Sequence, residues 1–193
     1  MNLGAIFPTN VMGTDLAAIR DYVQGVEDLG YDHLITYDHV VGADAASRPD
    51  WGSRYSVHDA FHEPFVRLRF AAGLTRRIGL VTAVIVLPQR QTVLVAKQAS
   101  EVEVLSGGRF TLGVGVGWNQ VEYVALGEDF HTRGRRLDEQ IKVFRELWTN
   151  PVVTLYGKWH RVPAAGLNPL PVQRPIPVWM SGRSEPMLPT RRA

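Results

Sequence analysis

Short apolar runs recur along this chain, separated by stretches with helical periodicity, and that alternation restricts the available folds more than any other feature. The runs are "LGAIFP", "YDHLITYDH", "IGLVTAVIVLP", "RFTLGVGVG" and "IPVWMSG". Strands that are apolar throughout need cover on both faces, which a parallel sheet between layers of helices provides. The helical stretches are amphipathic. Leu16, Ile19, Tyr22, Val23, Val26 and Leu29 share one face, and Leu137, Ile141, Phe144 and Trp148 recur at i, i+4, i+7 and i+11.

Boundary residues sharpen this reading. Thr14 is a candidate N-cap and Gly30 a C-cap for the first helix; a second helical spacing runs from His58 to about Thr75; a third, from Thr92 to Leu105, stops at Gly107-Gly108. Asn119 and Glu122 stand at capping-box spacing. "VVTLYGKWHRV" reads as a hairpin turning at Gly157-Lys158, and the proline-rich stretch from Pro163 to Pro177 as an extended surface connection without regular structure. About five parallel-type strands leave two architectures, a doubly wound sheet or part of an eight-stranded barrel, which typically takes about 250 residues.

Composition excludes several function classes. A chain of 193 residues with 45% hydrophobic content is one domain, 1–193, with a core of ordinary size. Lys and Arg number 21 against 19 Asp and Glu, and they are scattered, so the basic surface is a solvated one and no nucleic-acid partner is expected. With no cysteine there is no disulfide, zinc-thiolate site or thiol nucleophile. The N-terminus lacks a basic n-region, and the longest apolar run, "VIVL", falls far short of the roughly 20 residues that span a bilayer. The expectation is a cytoplasmic protein without a membrane partner.

Chemistry in a parallel α/β protein collects at the carboxyl ends of the strands. Asp38 and His39 stand at such an end, where imidazole can donate a proton or a hydrogen bond near neutral pH. A loop-capping role for the pair is equally compatible with that position. "GVGVGW", Gly113 to Trp118, ends another strand; a dinucleotide fingerprint would need a third glycine where Trp118 stands, yet alternating glycines still let a flat ring approach the backbone. The alternative is that they relieve crowding between strand and helix. "SGRSEP", from Ser181, suits an anion site at a helix start, or an ordinary strand-to-helix turn. His58 and His62, with Asp59 and Glu63 beside them, lack both the zinc-protease order and a third ligand, so no metal is expected.

Together "GYDHLITYDHVV", "LSGGRFTLGVGVGW", "RGRRLDEQIKVFRELWT" and "RPIPVWMSGRSEP" resemble the bacterial luciferase-like monooxygenases, within them the group using the deazaflavin coenzyme F420. The resemblance runs from about residue 2 to residue 188. It implies a (β/α)8 TIM barrel with an insertion after the fourth strand, where the hairpin and proline-rich stretch fall. Here the barrel would be incomplete, about five of eight β/α units, lacking its C-terminal part as a truncated sequence would. The resemblance also implies a cofactor, coenzyme F420 or alternatively FMN, bound across the carboxyl ends of the strands. Asp38 and His39 would then lie near its reactive ring, with His39 the hydrogen-bond or proton donor. Ala83-Val84 aligns with a bulge carrying a non-proline cis peptide behind the ring. Gly115, Gly117, Trp118 and Asn119 would line the pocket, and Ser181, Gly182 and Arg183 would hold the phosphate. The implied reaction is hydride transfer to or from a small organic substrate, or oxygen activation with FMN. A homodimer is the assembly the resemblance implies. An inactive fragment that folds only with a partner chain is the rival from another class.

Overall fold

The computed structural model describes residues 1–52 and 54–180. Each apolar run becomes a parallel strand. β1 (Gly4–Ile6) leads through a single helical turn, α1 (Thr9–Met12), to α2 (Leu16–Asp28), and β2 (His33–Thr36) leads through a long loop to α3 (Pro64–Leu74). β3 (Gly79–Thr82) and β4 (Ile85–Val86) precede α4 (Thr92–Ser106); β5 (Phe110–Gly115) is followed by α5 (Gln120–Ala125) and α6 (Arg133–Thr149). An antiparallel hairpin, β6 (Val153–Tyr156) and β7 (Arg161–Ala165), intervenes before β8 (Val178–Met180).

The order of strands decides between the two architectures. β1 pairs with β2, β2 with β3, β3 and β4 with β5, and β5 with β8, all in parallel. Each strand is laid beside its predecessor with no reversal, which is the winding of a barrel; a doubly wound sheet would reverse direction at a switch point. Among the described residues the sheet is an open arc of five strand positions, because β3 and β4 are the two halves of one interrupted strand. Its register shows the interruption: Val81 pairs with Thr111 but Ile85 with Val114, so one extra residue is accommodated on the β3–β4 side. That is a β-bulge. The Ala83–Val84 peptide within it is cis.

Packing of β5 against this bulge requires glycine. A Cβ on Gly113 would run into the carbonyl oxygen of Thr82, so at this position the glycine relieves crowding between neighbouring strands. Helices cover the outer face. Phe65 and Leu68 of α3, Val95 and Ala99 of α4, and the stripe Leu137, Ile141, Phe144 and Trp148 of α6 are all buried with Leu80, Phe110 and Leu112 of the sheet. Trp148 also donates its indole N–H to the Ala96 carbonyl of α4 at 3.1 Å. A buried cation joins the first two strands at their carboxyl ends: Arg67 donates to the hydroxyls of Thr9 and Thr36, both at 3.1 Å, and lies 4.1 Å over the Phe7 ring. Burial pulls its guanidinium down to about 10, which leaves it charged at neutral pH.

Several boundaries differ from the sequence expectations, each for a local reason. The N-cap of α2 is Asp15, whose carboxylate accepts from Ala17 and Ala18, because a carboxylate outcompetes the Thr14 hydroxyl for those N–H groups. Gly30 lies one position beyond the C-cap Leu29, with φ of 82°. The helix expected from His58 begins only at Pro64, capped by Glu63 through the Val66 N–H. Proline suits the first helical position and disfavours helix in the residue before it. Pro163 sits inside β7, contrary to the expectation of irregular structure; its missing N–H is tolerated on an edge strand. Among the described residues no helix is long and apolar enough to cross a membrane.

Candidate active site

The carboxyl end of β2 delivers Tyr37, Asp38 and His39 into a cavity of about 190 Å³. Ala83, Val84 and Val86 of the bulge, Gly117 and Trp118 after β5, Glu122 of α5 and Tyr55 of the long loop complete its lining. Six residues from the sequence expectation therefore meet here: Asp38, His39, Ala83, Val84, Gly117 and Trp118. Two others lie beside the pocket without lining it. Gly115 is buried at the end of β5, paired with Val86, and Asn119 is buried as the N-cap of α5, its side-chain oxygen accepting from the Val121 N–H at 3.0 Å. Ser181, Gly182 and Arg183 lie outside the described residues.

The two neighbours at the strand end have different surroundings. The Asp38 carboxylate is sealed from solvent and saturated: it accepts from the Val86 N–H at 3.0 Å and from Arg90 Nε at 3.1 Å and Nη2 at 2.7 Å. Arg90 reaches Glu63 with its remaining nitrogen at 3.1 Å. Burial works against the Arg90 charge, but the hydrogen bonds and charges of Asp38 and Glu63 outweigh it and raise the guanidinium above its ordinary value. Bidentate pairing of this kind fixes geometry as well as charge. Asp38 thus anchors the bulge strand and the α3 cap to the end of β2.

His39 is the more open group. Its Nδ1 lies 3.1 Å from Oε2 of Glu122, while the other carboxylate oxygen accepts from the N–H groups of Val40 at 2.7 Å and Val41 at 3.4 Å. Burial pushes the Glu122 carboxyl up, but the hydrogen bond and charge of His39, with the two backbone N–H groups, outweigh it and hold the carboxyl below its usual range. The imidazole ring is set in an aromatic frame, with centroids of Phe61 at 4.7 Å, Tyr55 at 5.4 Å and Trp118 at 5.8 Å. Trp51 packs 5.6 Å from Trp118, so the long loop closes the wall from outside. Burial pushes the Tyr37 phenol up, and the neighbouring Tyr55 adds to that rise.

Sequence reasoning missed Glu122, Arg90 and the aromatic residues of the long loop. Glu122 was expected to cap its own helix, but its carboxylate instead crosses to residues some 80 positions away, leaving Asn119 to cap α5 alone. No local pattern carries that partnership. Of the two histidines considered for a metal, His62 bonds the Gly13 carbonyl at 2.7 Å, and no cluster of three metal-ligating side chains occurs among the described residues.

The chain as a whole is similar to known proteins. A family model described as luciferase-like monooxygenase matches residues 1–190. An uncharacterized protein of Mycobacterium tuberculosis is 31% identical over 185 residues, covering 93% of this chain and 63% of the relative. The chain thus spans less than two thirds of the length of that curated relative. The coenzyme F420-dependent tetrahydromethanopterin reductase of Methanopyrus kandleri superposes with a TM-score of 0.70 at 18% identity, over 95% of this chain and 50% of that one. The oxygenating constituent of 3,6-diketocamphane monooxygenase from Pseudomonas putida, in complex with FMN, gives 0.74 at 16%, over 94% and 51%. These likenesses extend the strand order seen here to a shared TIM-barrel-type fold. The match over nearly the whole chain settles the relationship: this protein belongs to the luciferase-like monooxygenase family.

Proposed function

We propose that the His39 pocket is the cofactor-ring site of an oxidoreductase that transfers hydride between reduced coenzyme F420 and a small organic substrate. The observation that carries this reading is the meeting, in one pocket, of a tethered imidazole with the bulge at Ala83–Val84. The lining suits a flat heteroaromatic ring. Ala83 and Val84 offer small apolar surface on one side, and Trp118 and Tyr55 supply aromatic walls. Gly117, with φ of 65°, brings bare backbone so close to Val86 that a Cβ would stand 2.5 Å from its Cγ1. Gly115 and Asn119 hold the backbone beneath that wall, and Ser181, Gly182 and Arg183 are assigned to the cofactor phosphate from sequence.

When bound, the reduced deazaflavin supplies the hydride, whereas FMN would activate oxygen. The protein's own residues supply position and protons. His39 offers Nε2, for which no protein partner exists among the described residues, as the atom that donates a proton to the substrate oxygen when the ring is charged and accepts one when it is neutral. Asp38, saturated by Arg90 and Val86, holds the bulge against the ring rather than reacting.

Replacing His39 with Ala tests this division of labour. Turnover with coenzyme F420 is expected to be lost while cofactor affinity stays within about tenfold, because the group acts mainly in the transition state. A variant with the unaltered rate would refute the role of His39. Turnover supported by FMN and oxygen, and not by coenzyme F420, would establish the monooxygenase alternative.

A further inference from the structure

We infer that Glu122 is the positioning residue that holds His39 in the Nδ1–H tautomer, so that Nε2 is the atom presented to the reacting groups. The inference rests on the oxidoreductase reading for its purpose, but its geometry stands without it. Glu122 lies in the first turn of α5 with 1% of its side chain exposed, and among the described residues every hydrogen bond of its carboxylate goes to His39, Val40 and Val41 beyond the end of β2. An ionised carboxylate can only accept hydrogen bonds. Oε1 accepts from two backbone N–H groups as an ionised carboxylate does, so the atom facing Oε2 at 3.1 Å is a donor, and that atom is Nδ1 of His39.

The consequence is a fixed assignment of the two ring nitrogens. Nδ1 keeps its proton in both charge states, and the proton that can be exchanged is the one on Nε2. Because the carboxylate accepts from Nδ1 whether the ring is neutral or charged, the tether holds the ring's orientation through a proton transfer. Groups around the ring support the division. The other neighbours are the phenol of Tyr55, the rings of Phe61 and Trp118, and Asp38, whose carboxylate is already taken by Arg90 and Val86. Glu122 is thus the one acid bonded to this imidazole among the described residues.

A purely structural role would look different on substitution. In Glu122→Gln the side-chain oxygen can still accept from Val40 and Val41, which preserves the loop, but the amide N–H₂ now faces Nδ1 and demands an acceptor there. The tautomer should reverse to Nε2–H.

The test is ¹⁵N NMR of the imidazole in the full-length protein, with the His39 signals identified by their loss in His39→Ala, at a pH where the ring is neutral. Wild-type protein should show Nδ1 protonated, and Glu122→Gln should show Nε2 protonated with an unchanged circular dichroism spectrum. Glu122→Asp, which retains a carboxylate, should recover at least part of the Nδ1–H signal. An Nε2–H tautomer in the wild type would overturn the inference whether or not any variant folds, as would an unaltered pattern in folded Glu122→Gln. In turnover, Glu122→Gln should lower kcat by about 100-fold, the scale of a general acid–base contribution, with KM nearly unchanged. Loss of cofactor binding in wild-type protein that still shows the Nδ1–H tautomer would refute the oxidoreductase reading and leave the positioning role intact.

Discussion

At the level of single residues, the site is a division between a saturated carboxylate and an open imidazole. Asp38 and His39 are adjacent in sequence, yet one is locked by Arg90 and the other faces a cavity. Their partners separate them: Asp38 is bonded to the bulge strand and His39 to α5. The pH dependence of stability follows from Glu122. Its carboxyl is held lower in the folded protein than its ordinary value of 4.5, so its contribution is fully present above that value and fades as pH falls through the folded value. Thermal melts of wild type and Glu122→Gln between pH 7 and pH 3 should differ most near neutrality and converge in acid. A gap that widened on acidification would contradict the sign. The placement of Asp38-His39 at the pocket was legible because a strand end is where α/β proteins gather such groups. That of Glu122 was not, because a glutamate three residues after an asparagine satisfies a purely local rule, and its true partner lies 83 positions away.

Among the secondary-structure elements, helix faces and strand runs were readable from periodicity except at helix ends, where Leu16 and Leu29 of the first expected face are exposed. The α6 stripe is buried at all four expected positions. What periodicity could not report is how an insertion is tied down. The β6–β7 hairpin is clamped by Glu139 of α6, which accepts from the N–H groups of Lys158, Trp159 and His160 at 3.0, 2.9 and 2.9 Å and from His160 Nδ1 at 2.8 Å. His160 then reaches Thr92 of α4 through Nε2 at 2.6 Å. Burial raises the Glu139 carboxyl, but these four donors outweigh it and lower it. Removing the carboxylate in Glu139→Ala should release the turn without opening the core. Hydrogen exchange should therefore accelerate at Lys158, Trp159 and His160 while the amides of β5 keep their protection. Equal loss of protection in β5 would show the hairpin to be part of the core's cooperative unit. The bulge between β3 and β4 was invisible to periodicity, since both halves are apolar; only the family resemblance placed a cis peptide at Ala83–Val84, where the structure has one.

For the molecule as a whole, the strand order explains why one face carries the chemistry. Parallel strands laid side by side bring the ends of β2, β4 and β5 together, and with them the imidazole, the bulge and the aromatic wall. The curated Mycobacterium tuberculosis relative is matched over 63% of its length, so the activity of a whole protein of this family is a proposal for this one. Everything proposed for the pocket depends on a narrower condition: the residues gathered at these strand ends must suffice to recognise the cofactor ring. Isothermal titration of oxidised and reduced coenzyme F420 into the purified protein, with FMN as the control, measures that recognition. Saturable, micromolar binding selective for coenzyme F420 is expected; a folded sample that binds neither cofactor would refute the assignment of the pocket.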